Sequence, residues 1–97
     1  MNKSKLKGDT FERSIIHQAE EIGLKGYRNR MSRASAGEHW DICIAGKYIE
    51  CKKRAGGFKQ IEKWLAPGTD GVICGADYRE PFVVIRLKDY LKLIGGV

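Results

Sequence analysis

The sequence predicts a single α/β domain with element order α-β-β-β-α-β-β-α around one mixed central sheet flanked by helices. Three observations lead there. A helical-period apolar pattern near the start gives way to short apolar runs with the alternation of strands. Glycine and proline pairs cut the remainder at intervals suited to short elements. The chain has 97 residues, the length of one domain, with no repeat, no low-complexity tract and no evident linker.

Residues 1–7, polar and lysine-rich, are expected to fray. The stretch "GDTFERSIIHQAEEIG" reads as the first helix: Phe11, Ile15, Ile16, Ala19 and Ile22 recur at helical spacing. Asp9 can cap it, with Glu12 closing a capping box, and Gly23 is a stop. "YRNRMSR" alternates weakly as a short strand. "HWDICIAGKYIECKKR" follows as a hairpin turning at Ala45-Gly46 or Gly46-Lys47. After Gly56-Gly57, "FKQIEKWLA" forms a short helix with Ile61, Trp64 and Leu65 inward, ended by Pro67-Gly68. "GVICGADY" reads as a buried strand, "PFVVIRL" as another beyond a turn at Arg79-Glu80, and "KDYLKLI" as a closing helical turn or two.

Composition narrows the function classes. No apolar run approaches the ~20 residues of a membrane span, and the lysines of "MNKSKLKGDTF" precede no apolar segment, unlike a secretory signal. Three cysteines, Cys43, Cys51 and Cys74, each inside an apolar run, suit free thiols in a reducing cytoplasm. None has zinc-site spacing. The net charge of +6 and a pI near 9.4 favour a polyanionic partner, most often nucleic acid.

The hairpin carries charge where burial is expected. Strand side chains alternate faces, so Asp41 projects opposite to Ile42 and Ile44, and Glu50 and Lys52 opposite to Ile49 and Cys51. A turn at Ala45-Gly46 sets Asp41 across from Glu50. A turn at Gly46-Lys47 sets it across from Lys52, with Glu50 diagonal. Either register groups the three charges on one face within roughly 5–8 Å. Opposed carboxylates are destabilising unless a cation lies between them. Mg²⁺ suits such a pair: it takes hard oxygen ligands, keeps several waters and needs only one or two carboxylates. The backbone carbonyl of Cys51 adds an oxygen, and Lys52 can orient or activate a water or offset charge on a phosphate. Arg28, Arg30, Arg33, Lys53 and Arg54 bracket these residues in sequence and are expected to contact phosphates. Alternation of Asp, Glu and Lys is also common on solvated strands, and Glu12 has a capping role available to it.

"D…IECK" resembles the catalytic core of the PD-(D/E)XK nuclease superfamily, with its restriction-endonuclease-like fold. More narrowly, the chain resembles the archaeal-type Holliday junction resolvases, which also occur in phages. "GDTFER" is similar to that family's opening motif on its first helix, "RNRMSRASAGEHWD" to its Arg- and Ser-bearing approach to the metal-binding Asp, "KQIEKWL" to its following helix, and "GVICGADYREPFVVIRL" to its two closing strands. The likeness runs from about Lys7 to Ile94; Trp40 stands where the superfamily often has Pro, and the chain is shorter than typical members.

The resemblance implies an Mg²⁺-dependent endodeoxyribonuclease, with Mn²⁺ as a substitute, acting as a homodimer on four-way DNA junctions in the interior of a phage-infected or prokaryotic cell. It implies Asp41 and Glu50 as metal ligands, Glu12 near the metal directly or through water, and Lys52 as the catalytic lysine. Ser35 matches a serine implicated in catalysis, with Ser32 the alternative. Arg30 and Arg33 fall near the scissile phosphate, and Arg13 joins the DNA-binding set. The rival expectations are a nicking, repair or restriction-type nuclease of the same fold, and a basic DNA-binding module without catalysis.

Overall fold

The computed structural model describes residues 3–29 and 39–95, with side chains from Gly8 onward. The elements are α1 (Lys3–Glu21), β1 (Gly26–Arg28), β2 (Ile42–Ile44), β3 (Lys47–Ile49), α2 (Lys59–Trp64), β4 (Gly71–Cys74), β5 (Phe82–Ile85) and α3 (Leu87–Gly95). The mixed α/β order is the one the sequence predicts. The strands are grouped differently. In place of one mixed sheet there are two small antiparallel ones, β1-β2-β3 and β4-β5. The β2–β3 and β4–β5 links are too short for the long crossover that parallel pairing requires. The chain divides into two compact units, Met1–Lys53 and Arg54–Val97.

In the first unit, α1 lies on one face of the three-stranded sheet. Ile15 and Ala19, one turn apart on the helix, are buried with Ile42 and Ile44 of the central strand. Burying each isoleucine contributes about 1.5–3 kcal/mol. Gly26 lets β1 approach the helix: a Cβ there meets Ile16 at 3.3 Å and Ile44 at 3.4 Å. The helix ends as the sequence suggests. Gly23, at φ 85, takes the left-handed cap, and the N–H groups of Gly23 and Leu24 donate to the carbonyls of Glu20 and Ala19.

The start of α1 corrects the capping-box expectation. The helix begins at Lys3, so Asp9 and Glu12 lie inside it. Their carboxylates bind a guanidinium across the fold instead of the helix's own amides: Arg28 donates from Nη2 to Asp9 at 2.7 Å and from Nε to Glu12 at 3.1 Å.

The β2–β3 turn is settled as Ala45-Gly46. Ile42, Cys43 and Ile44 pair with Ile49, Tyr48 and Lys47. Both turn residues have positive φ, 50 and 81, the geometry that matches the twist of a two-residue hairpin.

In the second unit, Arg86 ties the end of α2 to the following loop. Its Nη2 donates to the carbonyls of Leu65 and Ala66, and its Nη1 to that of Thr69. A cation there satisfies carbonyls that a helix leaves without partners. Trp64 is half exposed, not inward, because this six-residue helix has no fully buried position. The strand expected to be buried is also more open: Ile73 of β4 and its partner Val83 of β5 are 78% and 60% exposed. A two-stranded ribbon has one covered face at most. Leu91 of α3 is the buried residue of this unit among those described.

Candidate acidic site at the open end of the hairpin

Asp41 sits where β2 begins, and its backbone is held on both sides. Its carbonyl accepts from the Asn29 amide at 2.8 Å, continuing the β1–β2 ladder. Its own amide donates to the Ile49 carbonyl at 2.8 Å, although Ile49 is the ladder partner of Ile42. Asp41 and Ile42 thus both face Ile49, which is a bulge, a device that re-aims a side chain at a sheet's end. The consequence is specific. In the Ala45-Gly46 register the plain ladder sets Asp41 across from Glu50. Instead Oδ2 of Asp41 accepts the Cys51 backbone amide at 2.6 Å, a charge-assisted bond that fixes the carboxylate beside the chain leaving β3.

The Cys51 thiol feels the charge of three carboxylates. Burial, then the charges of Asp41, Glu12 and Glu50 in that order, push its thiol up to about 11 from an ordinary 9.0. These residues come from the helix, the strand start and the strand exit, so the grouping is tertiary. Glu12 lies on the same helix stripe as Ile15 and Ile16, about one turn toward the N-terminus. Arg28 then holds it in place, with 18% of the Glu12 side chain exposed.

Glu50 and Lys52 project to solvent as a pair, Nζ to Oε1 3.0 Å. The hydrogen bond to Glu50 raises the Lys52 pKa above its ordinary 10.5, with the charges of Glu50 and Asp41 acting in the same direction. The amine is therefore an ammonium at neutral pH. In this pairing it can donate to a phosphate oxygen or a water.

The basic residues divide. Arg13 is exposed on α1. Arg28 is committed to Asp9 and Glu12. Lys53 extends over the Phe11 ring with 5.4 Å to its centroid, and Arg54, in the second unit, covers Phe58 at 4.6 Å. Arg30, Arg33, Ser35 and the alternative Ser32 lie outside the described residues. His39 is exposed ahead of the site.

The donor set is hard oxygen, suited to a Mg²⁺-class cation. Among the described residues no three of His, Cys, Asp and Glu stand close enough together to form a cage. A cation of this class needs one or two carboxylates and fills the rest of its shell with water and substrate oxygen.

Beside the acidic residues lies a group the sequence reading passed over. Trp40 packs between Tyr27 of β1 and Tyr48 of β3: its ring is 6.0 Å from Tyr27, edge to face, and 4.9 Å from Tyr48, tilted. Tyr27, Cys43 and Tyr48 occupy one cross-strand row. The Tyr27 hydroxyl, hydrogen-bonded to Cys43, has its pKa raised chiefly by that bond. The signal available in the sequence was parity: Tyr27 and Tyr48 both alternate away from the positions that face the core. Comparison with protein-family models, with curated proteins and with solved structures gives no match for the chain.

Proposed function

We propose that the protein is a metal-dependent, structure-specific DNA endonuclease, most favourably a Holliday junction resolvase of the PD-(D/E)XK type working as a homodimer. The observation that carries this reading is the geometry at the open end of the hairpin: the Asp41 carboxylate is fixed on the Cys51 amide at 2.6 Å, next in sequence to Glu50, and Lys52 pairs with Glu50 at 3.0 Å. It supplies acids for a cation and a fixed cation for a phosphate at one end of one sheet. A net charge of +6 supports a polyanionic substrate.

Asp41 and Glu50 are the residues to hold Mg²⁺, with the Cys51 carbonyl as a further oxygen and Glu12 at the margin through water. Mg²⁺, when bound, lowers the pKa of a water and offsets charge on the phosphate. The chain does the rest. The bulge and the Cys51 amide orient Asp41. Arg28 keeps Glu12 aimed. The Lys52 ammonium donates to the non-bridging oxygen on which charge develops during in-line attack, or to the attacking water. A two-fold dimer places two such sites at symmetry-related strands of a junction.

The test is cleavage of a labelled four-way junction and a matched linear duplex, with and without Mg²⁺, products resolved by strand. Paired cuts on the junction, lost in Asp41→Asn and Glu50→Gln with binding retained, are expected. Cuts on linear duplex instead select the nicking, repair or restriction-type nuclease. Junction binding with no divalent-dependent cleavage of any DNA overturns the enzyme reading in favour of a binding module.

A further inference from the structure

The outer face of the three-stranded sheet is an unusual place for aromatic rings. The inner face is occupied: Gly26, Ile42 and Ile44 meet α1. Strand alternation sends Tyr27, Cys43 and Tyr48 the other way. On that side Cys43 is 2% exposed, shielded from water, while Tyr27 and Tyr48 remain 55% and 65% exposed. Trp40 closes the row between them, so three rings make one contiguous surface. Tyr27 and Tyr48 cover Cys43 and pack on Trp40, yet each stays more than half exposed, beyond what shielding one small thiol requires. The chain as a whole is basic, at +6, which favours a polyanion, here one carrying flat apolar rings of its own. A nucleic-acid strand with unpaired bases has both properties: its phosphates meet the positive field and its bases stack on rings.

We propose that Tyr27, Trp40 and Tyr48 form a stacking platform for unpaired bases of a nucleic-acid strand, set beside the acidic site. Trp40 directly precedes Asp41, and Tyr48 is two residues from Glu50. A base resting on the platform therefore belongs to a nucleotide close to the phosphate at those acids. Resting on the nuclease reading, this gives that site a substrate preference: DNA with unstacked bases, as at a branch, bulge or frayed end, over uninterrupted duplex, whose bases are not available to stack on protein.

The test separates stacking from charge and from catalysis. It uses the full chain in EDTA, carrying Trp64→Phe so that Trp40 is the one remaining indole. An oligodeoxythymidine of about ten nucleotides, comparable to the span of one single-strand binding module, is titrated in parallel with an abasic oligonucleotide of equal length. Thymidine bases are expected to quench Trp40 fluorescence and to bind more tightly than the abasic strand. Tyr48→Leu, at an exposed position that tolerates an apolar side chain, is expected to lower affinity for the base-bearing strand by about 5- to 150-fold, with Tyr48→Phe restoring it and neither altering abasic-strand affinity. Equal binding of both strands, or no effect of Tyr48→Leu and Tyr27→Leu, overturns the platform. So does a change of sedimentation with Tyr48→Leu at unchanged oligonucleotide affinity, which assigns the face to self-association. Absence of Mg²⁺-dependent cleavage alongside base-dependent quenching leaves the platform standing and removes the nuclease reading alone.

Discussion

Replacing Arg28 by Met tests the tie that positions Glu12. The guanidinium makes two charge-assisted hydrogen bonds, 2.7 Å to Asp9 and 3.1 Å to Glu12, with side chains 27%, 31% and 18% exposed. Hydrogen bonds to charged groups contribute about 1.5–3 kcal/mol each, and exposure of up to a third moves these toward the lower end. Two at about 1.5 give about 3 kcal/mol. Asp9 and Glu12, three residues apart on one helix, then repel each other for a few tenths more. The expected loss is therefore about 3 kcal/mol from a domain whose whole stability is about 5–15 kcal/mol. Urea denaturation followed by circular dichroism measures it. The decisive arm is the same substitution in an Asp9→Asn, Glu12→Gln background, where the cost falls to about 1 kcal/mol or less because the charged partners are gone. An equal cost in both backgrounds refutes the ion-pair argument and leaves only packing of the arginine stem. Arg28→Met is also expected to change the salt slope of DNA binding by less than the ~0.9 that a freed phosphate contact removes, whereas Arg13→Gln, at an exposed position, removes about that much.

Two further outcomes follow from local geometry and charge. Lys52 has a raised pKa, so its pairing with Glu50 is fully present below 10.5 and lost only as pH rises through the higher folded value. A pH–rate profile of divalent-dependent cleavage is then expected to show no Lys52 limb between pH 6 and 9, and Lys52→Arg to retain more rate than Lys52→Gln; a limb in that range abolished by Lys52→Arg contradicts the ammonium role. At the hairpin, Ala45 holds φ 50, a conformation costing a non-glycine residue about 1–2 kcal/mol. Ala45→Asn, which gives the Asn-Gly pair favoured in such turns, should raise stability by up to about 1 kcal/mol in the same urea assay, and a loss of stability argues against this turn.

Much of the fold was legible because it is local. The element order, the Gly23 stop and the β2–β3 hairpin rest on periodicity, on glycine's access to positive φ and on turn chemistry, all readable within a few residues. What failed was what depends on distant partners. Asp9 and Glu12 satisfied the spacing of a capping box, but Arg28, sixteen and more residues away, offers them stronger bonds inside a longer helix. Trp64 and Ile73 fit apolar patterns, yet their elements are too small to enclose them. The residues of the candidate site were recognisable by type and spacing, but not their arrangement. Alternation could name the faces of Asp41 and Glu50; the bulge at Asp41 then broke that alternation and gave the carboxylate to the Cys51 amide.

The amino-acid sequence by itself thus determined the elements, the basic character and the acids and lysine available for chemistry, since each depends on neighbouring residues or on summed charge. Only the tertiary structure decided the grouping of strands into two antiparallel sheets, the Arg28 tie, the turning of Asp41 onto the Cys51 amide and the assembly of Tyr27, Trp40 and Tyr48 into one surface. These arise where separate strands and a helix meet, and residues brought together across such distances leave no periodic trace along the chain.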